Sequence, residues 1–190
     1  GALDSRSKTR DNDTAVCEFE NDDELWAYLR GSAVAVAYMM LAIMDPDDLE
    51  AARPHASALG EAFQLTNFLR DVREDAQEYG RIYLPRSTLE QYGVTESDIV
   101  NLRCTEGFRE AMSMKLRLAE DRYREGVAGI RQLPRDCQLP VLLAAVYYAE
   151  YHRLIRKRDY DVLSSSPEIT PVRHLLLAVR TWLHWRRTTD

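Results

Sequence analysis

Lysine is nearly missing from this 190-residue chain: Lys8, Lys115 and Lys157 are the only three, and the other 22 of its 25 basic residues are arginine. No basic run occurs, and the net charge is −6, so nucleic acid is not expected as a partner. Cysteine is scarce too. Cys17, Cys104 and Cys137 are odd in number and widely spaced, which fits neither a disulfide framework nor a C-x-x-C metal site and points to a reducing cytoplasm. Glycine and proline are few, at 8 and 7, so the chain is neither fibrous nor compositionally disordered. It has no G-x-G-x-x-G and no Walker loop, and nothing indicates a nucleotide cofactor. The longest apolar stretch, Gly31 to Met44, is shorter than the roughly 20 residues of a bilayer crossing. No charged-then-apolar signal peptide opens the chain. A cytoplasmic protein, soluble or peripheral on the inner membrane face, is the expectation.

What is present is sustained helical periodicity. Asp22 and Asp23 precede an apolar run from Leu25 to Met44 that Pro46 ends, the pattern of a buried helix with an acidic N-terminus. A second helix is predicted from Asp47 or Asp48 to about Gln77, broken near Arg53-Pro54 because proline disfavours a helical residue before it. Gly80 to Pro85 reads as a loop. Thr95 opens a short helix, and Thr105 caps a longer one that runs to about Leu133. Pro140, taken as a first-turn residue, starts another that reaches Arg158, and Thr170-Pro171 begins the last, which ends near Trp185. No alternating strand pattern of useful length competes. The fold class is therefore all-α, a single domain over 1–190 with residues 1–21 as a loosely structured arm.

Within the second helix, Asn67, Asp71 and Asp75 stand four residues apart. At about 100° per residue they share an arc of roughly 80°. Leu65, Leu69, Val72 and Ala76 recur on nearly the opposite side, so one stripe can be buried while the other presents oxygens. Carboxylates one turn apart suit Mg²⁺, with Mn²⁺ as a substitute, and Mg²⁺ completes its shell with waters and phosphate oxygens. The implied ligand is a diphosphate. The competing reading is a solvated helix face held by i,i+4 pairs.

Asn67-x-x-Arg70-Asp71-x-x-x-Asp75, followed by Gly80-Arg81-Ile82-Tyr83-Leu84-Pro85, resembles the second aspartate-rich motif of the squalene/phytoene synthase family and the R-x-Y-L-P segment after it. Tyr28-Leu29-Arg30-Gly31-Ser32-Ala33 looks like the family's tyrosine-bearing helix, and Asp159-Tyr160-Asp161 echoes another of its segments. The resemblance runs from about Asp4 to Trp185. It implies an isoprenoid synthase bundle that joins two prenyl diphosphates head to head after metal-assisted loss of an allylic diphosphate. Position by position, Asp71 and Asp75 would hold Mg²⁺ with Asn67 as a further ligand, and Gln64 would face the same cavity. Arg70 and Arg81 would contact diphosphate oxygens, although Arg70 lies off the carboxylate face and pairs equally well with Glu74. Tyr83 and Tyr148 match tyrosines near the diphosphates. Tyr28 matches an aromatic hydroxyl near the reacting carbons, with a core tyrosine as the alternative. Ala33, Ala35, Ala37, Met39 and Met40 are either channel lining or ordinary core.

Two departures accompany the likeness. The family usually carries glycines where this chain has Ala35 and Ala37. Its first aspartate-rich motif precedes anything in this sequence, since Gly1-Ala2-Leu3-Asp4 looks like a mid-chain segment and Asp11-Asn12-Asp13 is no replacement. An N-terminally truncated phytoene synthase-like enzyme of carotenoid synthesis, using geranylgeranyl diphosphate, is the leading expectation. A squalene or dehydrosqualene synthase using farnesyl diphosphate, and a non-catalytic helical assembly module, are the rivals. The C-terminal segment, with Leu175 to Leu177, Val179 and Trp182 beside Arg173, Arg180, Arg186 and Arg187, either packs as a terminal amphipathic helix or touches an anionic membrane surface for release of a lipophilic product.

Overall fold

The computed structural model describes residues 15–189; Gly1 to Asp4 and Asp11 to Asp13 lie outside the described residues. A short strand β1 (Val16–Cys17) leads into a long helical rod: α1 (Asp22–Leu29), one π turn (Arg30–Val34) and α2 (Ala35–Met44). Asn21 caps the rod by accepting the Glu24 N–H at 3.1 Å, and the acidic first turn lies at the positive end of the helix dipole. In the widened turn the Ser32 hydroxyl donates to the Tyr28 carbonyl at 2.7 Å, giving that oxygen a partner where the i→i−4 ladder is disturbed. Asp45 ends the rod in the left-handed region, at φ 51°.

Next comes α3 (Leu49–Arg70), capped by Asp48, whose carboxylate accepts the Ala51 N–H at 2.9 Å. Then follow α4 (Val72–Glu78), β2 (Arg81–Ile82), α5 (Arg86–Gln91), α6 (Glu96–Val100), α7 (Glu106–Ala128), a 3₁₀ turn (Gly129–Gln132), α8 (Arg135–Lys157) and α9 (Pro171–Thr189). Thr95 and Asp98 form a capping box on α6, and the Thr105 hydroxyl caps α7 through the Phe108 N–H. α3 is the central helix, packed against the rod, α7 and α8. Its approach to α7 is close enough to require glycine, since a Cβ on Gly126 would lie 2.7 Å from the Leu59 backbone. Leu65, Leu69, Phe108, Met112, Leu116 and Ile155 fill the core between these helices, each large aliphatic side chain contributing about 1.5–3 kcal/mol by burial.

The all-α expectation holds, with four corrections. Pro54 does not break α3, nor does Pro140 start α8; each sits at the sixth position of its helix. Both prolines are exposed, as are Glu50 and Asp136, the residues whose carbonyls they leave without a partner, so water can satisfy them. The interruption falls instead at Asp71, between α3 and α4, where φ and ψ are −101° and 10°. Residues 15–20 are not a loose arm: Ala15, Cys17 and Phe19 are buried in the core. β1 pairs in parallel with β2, Val16 opposite Arg81 and Cys17 opposite Ile82, so the predicted loop contains a strand. Finally, Asp22–Met44, a helix of 23 residues, is long and apolar enough to cross a membrane by length and composition; the apolar run alone underestimates it. Leu25, Leu29, Val34 and Leu41 are buried in protein, whereas Val36, Met39 and Ile43 are exposed.

Candidate active site

A cavity of about 590 Å³ lies between the α1–α2 rod, α3 and the turn joining α7 to α8. Tyr28, Ala33, Ala37 and Met40 line it from the rod, while Met39 points away and Ala35 is not part of the lining. The facing wall belongs to α3, from Ala52 to Asn67, a length of about 22 Å at 1.5 Å per residue. The lining is apolar over most of this length and turns polar at one end, at Gln64 and Asn67. Ile130, Leu133 and Val141 line it as well.

Beyond Asn67 the same helix face continues out of the cavity. The Asp71 N–H donates to the Asn67 carbonyl at 2.9 Å, and the Asp75 N–H to the Asp71 carbonyl at 2.8 Å. The bend at Asp71 therefore leaves the one-turn spacing of the three oxygen-bearing residues intact. Asn67, Asp71 and Asp75 are half-buried, while Leu65, Leu69, Val72 and Ala76 are buried on the other side, as their spacing predicts.

Charge around this face is unevenly compensated. Arg70 does not pair with Glu74; it grips the adjacent Asp71 with two bonds, at 2.7 and 2.6 Å, and its guanidinium lies 4.8 Å from the centre of the Tyr151 ring. The Asp75 carboxyl is pushed up to about 6, first by desolvation and then by the neighbouring Asp71 and Glu74, against the opposing pull of Arg81 and Arg70. Arg81 donates to the Tyr83 hydroxyl at 3.2 Å and is 3.5 Å from Glu18 of the β1 segment. Tyr148 stacks on Phe63, with centroids 4.3 Å apart, and reaches Tyr151 edge-on. Of the predicted site residues, Tyr28, Gln64, Asn67 and Tyr148 line the cavity, whereas Arg70, Asp71, Asp75, Arg81 and Tyr83 do not; Asp71 and Asp75 follow Asn67 at one-turn intervals along the helix.

Three aromatic partners escaped the sequence reading. Phe68 stacks on Tyr83 at 4.2 Å and lies 6.2 Å from Tyr28; Phe19 is 5.3 Å from Tyr28. Together they hold both tyrosines in one cluster. The third, Tyr151, carries Arg70. A signal for Phe19 was available, since Cys17 and Phe19 alternate with Glu18 and Glu20 in the period of a strand. Asp159-Tyr160-Asp161 proves to be a turn: Asp159 and Tyr160 have φ of 51° and 61°, and the Asp161 carboxylate accepts the N–H groups of Leu163 and Ser164.

Among the described residues no group of three or more His, Cys, Asp and Glu side chains is arranged to hold a metal. Asn67, Asp71 and Asp75 offer an amide and two carboxylates, with a surplus of negative charge at Asp75. That donor set fits a hard cation which keeps waters and takes further oxygens from a phosphate-bearing ligand.

Comparison with known proteins agrees with the geometry. Residues 3–173 match the squalene/phytoene synthase family. The 15-cis-phytoene synthase of Synechococcus elongatus is 35% identical over 151 residues, covering 74% of this chain and 49% of that protein. A phytoene synthase of Arthrospira platensis is 37% identical over 154 residues, covering 75% and 50%. The chain thus spans about half the length of these curated relatives. Among solved structures, a dehydrosqualene synthase superposes with a TM-score of 0.80 at 27% identity, covering 89% of this chain and 59% of that one. A squalene synthase from Alicyclobacillus acidocaldarius gives 0.71 at 28% identity, covering 75% and 54%. With its helical bundle, its apolar cavity and the aspartate face at one end, the chain belongs to the squalene/phytoene synthase family.

Proposed function

We propose that this chain belongs to an Mg²⁺-dependent prenyltransferase that condenses two molecules of geranylgeranyl diphosphate head to head into phytoene, through a cyclopropylcarbinyl diphosphate. One observation supports this most directly: an apolar cavity walled by about 22 Å of α3 runs into Gln64 and Asn67, and then into Asp71 and Asp75 on the same helix face. A ligand with a long apolar tail and a diphosphate head has that polarity. The relatives that match the sequence and are named phytoene synthases favour the four-isoprene chain.

Asn67, Asp71 and Asp75 would hold Mg²⁺, which when bound supplies electrostatic stabilisation to the departing diphosphate. Arg81 and Arg70 would add hydrogen bonds to the same oxygens. For Arg70 this requires sharing or exchanging its two-bond grip on Asp71, a pair whose side chains are only about a quarter exposed. Tyr148, near Arg70, closes the polar end. Tyr28, beside Phe19 and Phe68, would set its hydroxyl near the reacting carbons, and Tyr83, stacked on Phe68, would offer its hydroxyl to the diphosphates. The aliphatic walls exclude water from a carbocation.

A second reading, farnesyl diphosphate converted to squalene or dehydrosqualene, is supported by the names of the structural neighbours. The test is product analysis of the full-length protein with Mg²⁺ and each diphosphate, comparing wild type with Asp71→Asn. A C40 hydrocarbon reduced about 10²-fold or more in the variant is expected. A C30 product would move the assignment to the second reading. No product from folded wild-type protein would leave a helical assembly module.

A further inference from the structure

The cavity has two unlike ends, and only the polar one enters the reaction proposed above. Its walls run down in step from that end: Asn67 to Ala52 on α3, Tyr28 to Met44 on the rod, and Tyr148 to Val141 on α8. Ile130 and Leu133, in and beside the 3₁₀ turn, complete the far end. Beyond Gly60, every described side chain lining the cavity is apolar except one, the imidazole of His55.

His55, half-buried, is held from two directions. Its Nδ1 lies 2.7 Å from the Glu125 carbonyl; a carbonyl only accepts, so Nδ1 carries the proton and donates. Glu125 stands in the last turn of α7, where carbonyls lack a partner within their own helix. The imidazole thus caps α7 from a residue of α3. On another side it is packed on Gly129. A Cβ there would collide with Cβ and Cγ of His55, and a residue without a side chain lets the turn close on the ring. A side chain tethered at its ring nitrogen and packed at its root has little freedom to swing aside. Both contacts are with α7 and the turn after it, inside the described bundle.

Position along α3 gives this ring a meaning for the substrate. His55 lies 12 residues before Asn67, about 18 Å down the helix at 1.5 Å per residue. An extended isoprene unit has four chain carbons and covers roughly 5 Å, with C–C bonds of about 1.5 Å. From a diphosphate at Asn67, three units of roughly 5 Å end short of His55 and a fourth reaches it.

We propose that His55 ends the tail cavity, as a fixed stop against which the fourth isoprene unit seats and which excludes a fifth. The proposal deepens the prenyltransferase reading and rests on it. An apolar cavity by itself discriminates weakly between tails that differ by a little length. A ring pinned by Glu125 and Gly129 converts that weak preference into a definite end, because a longer chain cannot push it aside and then loses the geometry at its reacting carbons. Capping of α7 alone would give His55 no influence on which tail is chosen.

The test compares the full-length wild type with H55A and H55Q on farnesyl, geranylgeranyl and geranylfarnesyl diphosphates, the C15, C20 and C25 tails. Wild type is expected to use C20 and discriminate against C25. H55A should raise kcat/KM for C25 relative to C20 by at least about tenfold and yield a C50 hydrocarbon, with its C15 turnover within a few-fold of wild type. H55Q keeps an N–H donor and most of the bulk, and should retain the wild-type ratio. Equal losses on all three tails in H55A overturn the proposal and leave His55 as a helix cap. Equal use of C25 and C20 by wild type overturns it as well, as does a shift in H55Q as large as in H55A. Calorimetric binding of the unreactive C20 and C25 thiolodiphosphate analogues separates the stop from the reaction. Protein that prefers the C20 analogue, loses that preference in H55A and yet forms no hydrocarbon keeps the stop and fails the reaction. Hydrocarbon formation with a tail preference that H55A does not move keeps the reaction and overturns the stop.

Discussion

Asp75 carries the largest local imbalance in the candidate site. Desolvation and two neighbouring carboxylates hold its carboxyl at about 6, so the ionised form is a charge that the metal-free fold supports poorly. Asp75→Asn, nearly isosteric, is expected to raise the melting temperature of the metal-free protein and lower turnover at saturating Mg²⁺; calorimetry and product assay on the same preparation would read both. A drop in melting temperature would mean that the carboxylate is structural. A second residue reports on pH. The Thr66 hydroxyl donates to the Ala62 carbonyl and lies 2.7 Å from His152 Nε2, so this ring nitrogen is the donor. Desolvation first, with Arg156 adding to it, depresses His152 to about 4, against the opposing pull of Glu120. Because the folded-state pKa lies below the unfolded value of about 6.5, the unfolded chain binds the extra proton. Stability from this group is complete above about 6.5 and declines as pH falls towards 4. Urea denaturation at stepped pH should show that decline, and Thr66→Val, which orphans the buried N–H, should cost about 1–3 kcal/mol at neutral pH. If Thr66→Val matched wild type throughout, His152 would have another partner.

Among the elements, the contact between α3 and α7 is the least forgiving. A methyl on Gly126 would lie 2.7 Å from Leu59 backbone atoms, with no flexible side chain to yield. Gly126→Ala is expected to lose about 1–3 kcal/mol or more, despite alanine's better helix propensity; denaturant unfolding would check it, and a stabilised variant would refute the packing argument. The helices themselves were legible because their signals are local: Asn21, Asp48, Thr95 and Thr105 begin them. So was the carboxylate face, since Leu65, Leu69, Val72 and Ala76 fix which side is buried. Pro54 and Pro140 misled because a proline on an exposed helix face leaves a carbonyl that water can serve. Phe68 and Tyr151 could not be assigned, since an aromatic residue on a helix does not announce which tyrosine or arginine it will support. The partner of Arg70 was equally hidden. Asp71 and Glu74 are both within reach in sequence, and the bend at Asp71 decides between them.

At the scale of the molecule, the cavity is a slot whose polar end is set by Asn67 and whose opposite reach follows α3 back to Ala52. Side chains added near that reach should shorten the space without touching the carboxylate face. Ala56→Phe, at a lining position, is expected to depress C40 formation from geranylgeranyl diphosphate by about 10-fold or more while leaving farnesyl turnover within a few-fold, since a mis-seated chain loses near-attack geometry. Equal losses with both diphosphates would place the tails elsewhere. The facing wall depends on the π turn at Arg30–Val34. In an uninterrupted α-helix, Tyr28 and Met44, 16 positions apart, would diverge by about 160° around the axis; the one additional residue of the wide turn reduces this to about 60°. Both therefore face the same slot. The turn acts as a vernier: excision of a single residue there would leave a sound helix, cap and all, while swinging the aromatic end out of alignment with the aliphatic end. In this wall, sequence length is itself a determinant of the site, and a gap of one residue at positions 30–34 would matter more than most substitutions along it.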